Sequence, residues 1–122
     1  MDDEELARLY GVTRLAIGAV TVLAPSLVAK VWLGRGADDA AAVVGLRGLG
    51  GREAAIGLGT LLALEHKAPV RGWLEAGALA DAADAFGVLT QSSVLSKPRV
   101  LLAAGVAGAS AWFSMQLASS LD

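Results

Sequence analysis

The sequence predicts an all-α protein, an up-down bundle of four transmembrane helices joined by short loops. Three observations predict it. Hydrophobic residues make up 55% of the 122 positions and charged residues only 18%, against about 25% charged in an average soluble domain. The apolar excess is carried by small residues, with 15 glycines and only 5% aromatics, a composition that lets helix backbones approach closely. Four long apolar stretches are separated by compact breaker clusters, and at about 20 residues per crossing four spans fit the chain with room for short loops. The mean hydropathy of +0.58 agrees.

The first helix is expected over about residues 4–32, with Asp2 and Asp3 as amino-terminal caps. Its uncharged stretch from Leu15 to Ala29 is short, but Arg14 and Lys30 can extend their stems along lipid and carry their heads to the interface. Pro25 is placed to kink it, and Trp32 stands where an interfacial anchor belongs. Gly34 to Asp39 form the first loop, whose aspartates can cap a second helix over about 40–64. Glu65 to Pro69 make a tight turn into a third helix, about 70–90. Gln91 to Pro98 form the last loop, and the fourth helix runs over about 99–120 with no charge between Val100 and Leu121, the strongest spanning signal in the chain. No linker divides these elements, so the reading is one helical membrane domain over residues 1–122.

A soluble alanine-rich bundle is the competing fold, because the third helix alone would insert poorly. The fourth helix argues against it: Ser110, Ser114 and Gln116 are scattered and make no polar face. A multi-pass protein of the cell membrane, with the lipid bilayer as its partner, is therefore expected. The acidic start Met1-Asp2-Asp3-Glu4-Glu5 is unlike the basic region of a secretory signal, so the first segment is expected to be retained. Basic residues do not choose an orientation: Arg8, Lys67 and Arg71 fall on one side, Lys30, Arg35, Lys97 and Arg99 on the other.

The net charge of −2, with no basic tract, gives no sign of a nucleic-acid partner. The absence of cysteine excludes disulfides and thiolate chemistry. With a single histidine and no HxxxH spacing, no metal site and no cofactor are expected.

The candidate site is a set of charges inside predicted spans. Asp81 and Asp84 share a face of the third helix, where each costs about 2.5–3.5 kcal/mol to insert, while an apolar neighbour returns only about 0.3–0.6 kcal/mol. Ionisable groups at that depth mark functional sites by default. The second helix brings Arg47, Arg52 and Glu53, with Arg52 in a stripe of small residues (Gly45, Gly48, Ala55, Gly59). If the second and third helices form a hairpin turning near Lys67, residues at equal depth have numbers summing to about 134, which predicts that Arg52 meets the Asp81/Asp84 pair near the bilayer centre. Glu53 shares that depth about 100° round its helix. Arg47 and Arg52 against Glu53, Asp81 and Asp84 leave one negative charge over, unless Arg14 reaches in or one carboxyl holds a proton.

The stretch Leu46-Arg47-Gly48-Leu49-Gly50-Gly51-Arg52-Glu53-Ala54-Ala55-Ile56-Gly57-Leu58-Gly59, followed by Trp73 and by Gly77-Ala78-Leu79-Ala80-Asp81-Ala82-Ala83-Asp84, resembles small actinobacterial four-helix integral-membrane proteins of unknown function. The likeness covers about residues 43–89. It implies a four-helix membrane bundle and an actinobacterial source, and it brings no established reaction.

Two functions from different classes follow. In one, the charged centre binds a hydrophobic or lipid-like small molecule, with Arg47, Arg52 and Trp73 as ligand-binding candidates and Asp81, Asp84 and Glu53 as catalytic acid/base candidates. Isomerisation or cyclisation of a hydrophobic substrate would suit a site without metal, thiol or nucleotide loop. In the other, the charges only clasp helices in a structural or partner-binding protein. Whether the protein is an enzyme stays open between them. The glycine stripes also suit a homo-oligomer, since they can pack between chains as well as within one.

Overall fold

The computed structural model describes residues 1–34 and 37–121; Arg35 and Gly36, which fall in the expected first loop, and Asp122 lie outside the described residues. Every regular element among the described residues is helical: α1 (Asp3–Leu23), α2 (Pro25–Val28), a π-helical turn (Ala29–Leu33), α3 (Ala40–Glu65), α4 (Arg71–Thr90) and α5 (Lys97–Ser120). The chain divides into two compact units, Met1–Ala68 and Pro69–Asp122. α1 and α5 are long and apolar enough to cross a membrane.

The expected ends of the last three helices agree with the structure within two residues. The first helix does not run unbroken to residue 32. It stops at Leu23, and Ala24 leaves the helical region with φ −133° and ψ 58°. Pro25 is the physical reason: it has no N–H for the helical ladder, and its ring would meet the carbonyl four residues back, so it opens a new short helix instead. That helix passes into a wider π turn closed by Gly34, whose N–H bonds the Ala29 carbonyl at 3.0 Å from a left-handed backbone (φ 73°).

The amino-terminal unit is an antiparallel pair, α1 on α3. Its start is fixed by a capping box, in which the Asp2 side chain accepts from the Glu5 N–H and the Glu5 side chain accepts from the Asp2 N–H. Asp39 caps α3 through the Ala42 N–H at 2.8 Å, as its position predicts. On α1 the buried stripe is Ala7, Gly11, Arg14, Gly18 and Thr21; on α3 it includes Leu46, Gly50, Glu53, Gly57 and Thr60. Both step by four and three, the period of a left-handed helix pair. Backbone meets backbone at the glycines. A methyl on Gly18 would strike the Ala54 N–H and the Gly50 carbonyl, and one on Gly57 would lie 2.5 Å from the Leu15 nitrogen. These contacts fix a register in which facing residues have numbers summing to about 68.

α3 ends in a Schellman motif: the Ala68 N–H reaches the Ala63 carbonyl at 2.8 Å and the Lys67 N–H the Leu64 carbonyl at 3.2 Å. Lys67 takes the left-handed position (φ 51°) that glycine usually fills. In the carboxy-terminal unit α4 packs on α5 through the connection 91–96. Leu74, Gly77, Ala78 and Asp81 form the buried stripe of α4; Val100, Ala103, Ser114, Leu117 and Ala118 are buried on α5.

Two predictions follow from this packing. Gly18→Ala should destabilise the detergent-solubilised protein by about 1–3 kcal/mol through overpacking, whereas Gly48→Ala, where an added methyl meets nothing within 4 Å, should stabilise it by up to about 1 kcal/mol through helix propensity. Thermal unfolding followed by circular dichroism reads both signs. Lys67→Gly should raise stability by about 0.5–1 kcal/mol, relieving the left-handed strain net of glycine's greater unfolded-state entropy; the same melts check it.

Candidate functional site

The most deeply buried charges of the amino-terminal unit meet one another. Arg14, midway along α1, donates through Nη1 to Glu53 Oε2 of α3 at 2.5 Å, with the two side chains 5% and 10% exposed. The other carboxylate oxygen, Oε1, accepts from Arg52 Nη2 at 3.2 Å. Arg14 also lies over the Tyr10 ring, 4.7 Å from guanidinium carbon to centroid, a cation–π contact one turn back on its own helix.

Local sequence explains the geometry. In the register summing to about 68, Arg14 faces the Glu53–Ala54 step, and the close contacts at Gly11/Gly57 and Gly18/Gly50 flank it by about one turn on each side. Removing side chains above and below draws the two backbones together, so the guanidinium and the carboxylate span the gap directly. A bidentate-capable guanidinium suits this better than an ammonium, being planar and more weakly hydrated. The buried threonine and serine hydroxyls are satisfied within their own helices: Thr60 donates to the Ile56 carbonyl at 2.9 Å, Thr21 to Ile17 and Ser114 to Ser110 at 2.8 Å each.

The sequence-predicted residues fall in different places. Glu53 is at the heart of the cluster, and Arg52 is at its rim with a side chain 34% exposed. Arg47 is exposed and donates from Nε to the Val22 carbonyl at 3.3 Å. That carbonyl belongs to the last turn of α1, which the break at Ala24 leaves without a helical donor, so Arg47 acts as a side-chain cap. Asp81 and Asp84 stand on α4 of the other unit, Asp81 buried and Asp84 half-buried. Trp73 is exposed on the first turn of α4, and Arg71 pairs with Glu75 there at 2.7 Å.

Arg14 is the member of the buried cluster to which the sequence gives only a secondary role, as a cation that could balance the leftover negative charge. A signal was present. Arg14 is the one charged member of a stripe of small residues spaced four and three, and Glu53 holds the matching place in the parallel stripe on α3.

Comparison with known families, with characterised proteins and with solved structures finds no match for this chain, so its chemistry is argued from its own geometry.

Removing one partner of the buried pair leaves a charge unsatisfied. Glu53→Ala is expected to destabilise the protein by about 3–5 kcal/mol, while the double replacement Arg14→Met/Glu53→Leu should recover most of that loss. A double-mutant cycle on unfolding midpoints in detergent measures the difference; equal losses in both variants would show that the pair does not hold the helices.

Proposed function

We propose that the protein is a small multi-pass membrane protein of the cell membrane, a four-helix transmembrane bundle whose intramembrane charges clasp helices together. The observation that carries this reading is the Arg14–Glu53 bond across the glycine-lined contact of α1 and α3. Supporting it is an inverted distribution of polarity. Arg14, Glu53, Thr21, Thr60, Asp81 and Ser114 are buried, while Leu23, Val44, Leu79, Phe86, Leu101 and Trp112 are exposed. A water-soluble fold has the opposite need, since burying charge costs free energy while leaving large apolar side chains in water forgoes the gain from burying them. The apolar windows of α1 and α5 are only 33% and 22% buried, unlike the core helix of a soluble protein. The resemblance of residues 43–89 to small actinobacterial membrane proteins points the same way.

A second reading has its own observation. Asp81 and Asp84 lie three residues apart on α4, an apolar helix in which Asp81 is buried. In this reading a hydrophobic or lipid-like small molecule with a polar head binds at the acid pair, and an acid there exchanges a proton with it. Trp73, exposed on the same helix, takes the apolar part in this reading.

Native mass spectrometry of the detergent-purified protein beside Asp81→Asn/Asp84→Asn separates the two. A small molecule that stays with the wild type and is lost from a folded double variant establishes the binding site. With no ligand on either and the double variant unfolded, the charges serve only as fasteners.

A further inference from the structure

We infer that the segment Pro25–Leu33 is not part of a membrane crossing but an anchor seated in the headgroup layer of an anionic leaflet. The inference rests on the membrane reading of α1 and extends it to a second surface with a stated partner, anionic phospholipid.

Length carries the first step. The stretch of α1 from Leu6 to Leu23, apolar but for Arg8 near its start and the buried Arg14, is about 27 Å long, close to a hydrocarbon core of about 30 Å. Leu23 thus reaches the far boundary just where the helix stops, and Ala24 and Pro25 turn the chain there. The sequence alone had extended the span to Lys30; the break removes that need.

Exposure and chemistry carry the second. Leu27 and Val31 of this segment are 56% and 68% exposed, as is Leu23 at the end of α1 (82%). Lys30 beside them is exposed, and Trp32 follows. Exposed apolar side chains flanked by lysine and tryptophan are the pattern of an element that lies in the interface plane. A second exposed cation lies at the end of α1: Arg47, whose Nε donates to the Val22 carbonyl at 3.3 Å. Lys30 and Arg47 together complement headgroup phosphates, at about 1 kcal/mol for each basic residue near an anionic surface. The Ser26 hydroxyl, donating to the Ala37 carbonyl at 2.8 Å, ties the segment to the chain that returns toward α3 and holds it against the end of the helix pair.

The chain has no cysteine, so single cysteines introduced at exposed positions can carry spin labels without background. The full-length protein would be labelled at Ile17→Cys, Leu27→Cys or Val31→Cys and reconstituted into phosphatidylcholine vesicles with or without phosphatidylglycerol. Label depth is read from relaxation by oxygen against a neutral nickel chelate. The expected result is a deep label at position 17 and labels at the headgroup boundary at 27 and 31. The label at 31 should be further shielded from the chelate when phosphatidylglycerol is present, and Lys30→Gln should abolish that gain. A label at 31 as deep as the one at 17, or fully open to the chelate, overturns the anchor while leaving the membrane reading intact. Equal shielding with and without phosphatidylglycerol overturns the anionic partner. If the label at 17 is itself open to the chelate, the membrane reading fails first.

Discussion

A guanidinium and a carboxylate withdrawn from water have no tolerable state except contact with each other, and the amino-terminal unit is organised around one such contact. Arg14 and Glu53 sit at the middle of α1 and α3, and their bond fixes which faces the helices turn to each other. The price of desolvating both ions is large, so the pair does more to select one register than to add net stability. A slip of one helix turn would leave each charge against glycine or aliphatic carbon, an arrangement the low dielectric of a helix interface forbids.

The glycines make that bond geometrically available. Gly11 against Gly57 and Gly18 against Gly50 bring the backbones to a separation at which a Cβ would collide, directly above and below the pair. Close approach then places the hydroxyls of Thr21 and Thr60 inside the contact, where they turn back on carbonyls of their own helices. Small residues, inward hydroxyls and one shared carboxylate thus form a single packing solution. It suits a solvent that offers no hydrogen bonds, since the Arg14 guanidinium bonds Glu53 and the Thr21 and Thr60 hydroxyls bond carbonyls of their own helices.

A solvent of that kind also suits the outer surface. Leucine, valine, phenylalanine and tryptophan lie outward along the helices, and the ends are finished with polar devices: the Asp2–Glu5 box, the Asp39 cap, the Schellman turn at Lys67 and the Arg47 side chain over the last turn of α1. Pro25 belongs with these. It ends α1 at Leu23 and separates that helix from the nine residues Pro25–Leu33.

Much of this was legible in the sequence because it is written in local patterns. Apolar stretches of spanning length, the aspartate caps and the breakers at Gly34, Pro69 and Pro98 set the helices, since backbone hydrogen bonding and proline stereochemistry act over a few residues. The charges inside predicted spans were legible too, and Glu53 and Asp81 are buried. The sequence paired Arg52 with Asp81 and Asp84 but left open which cation answers Glu53. Spacing along the second helix drew attention to Arg52 and Arg47, but a salt bridge between helices depends on how far apart the backbones lie and how each is rotated. Only the tertiary structure decided that, by closing α1 on α3 through facing glycines, placing Arg14 against Glu53 and leaving Arg47 to cap a broken helix end.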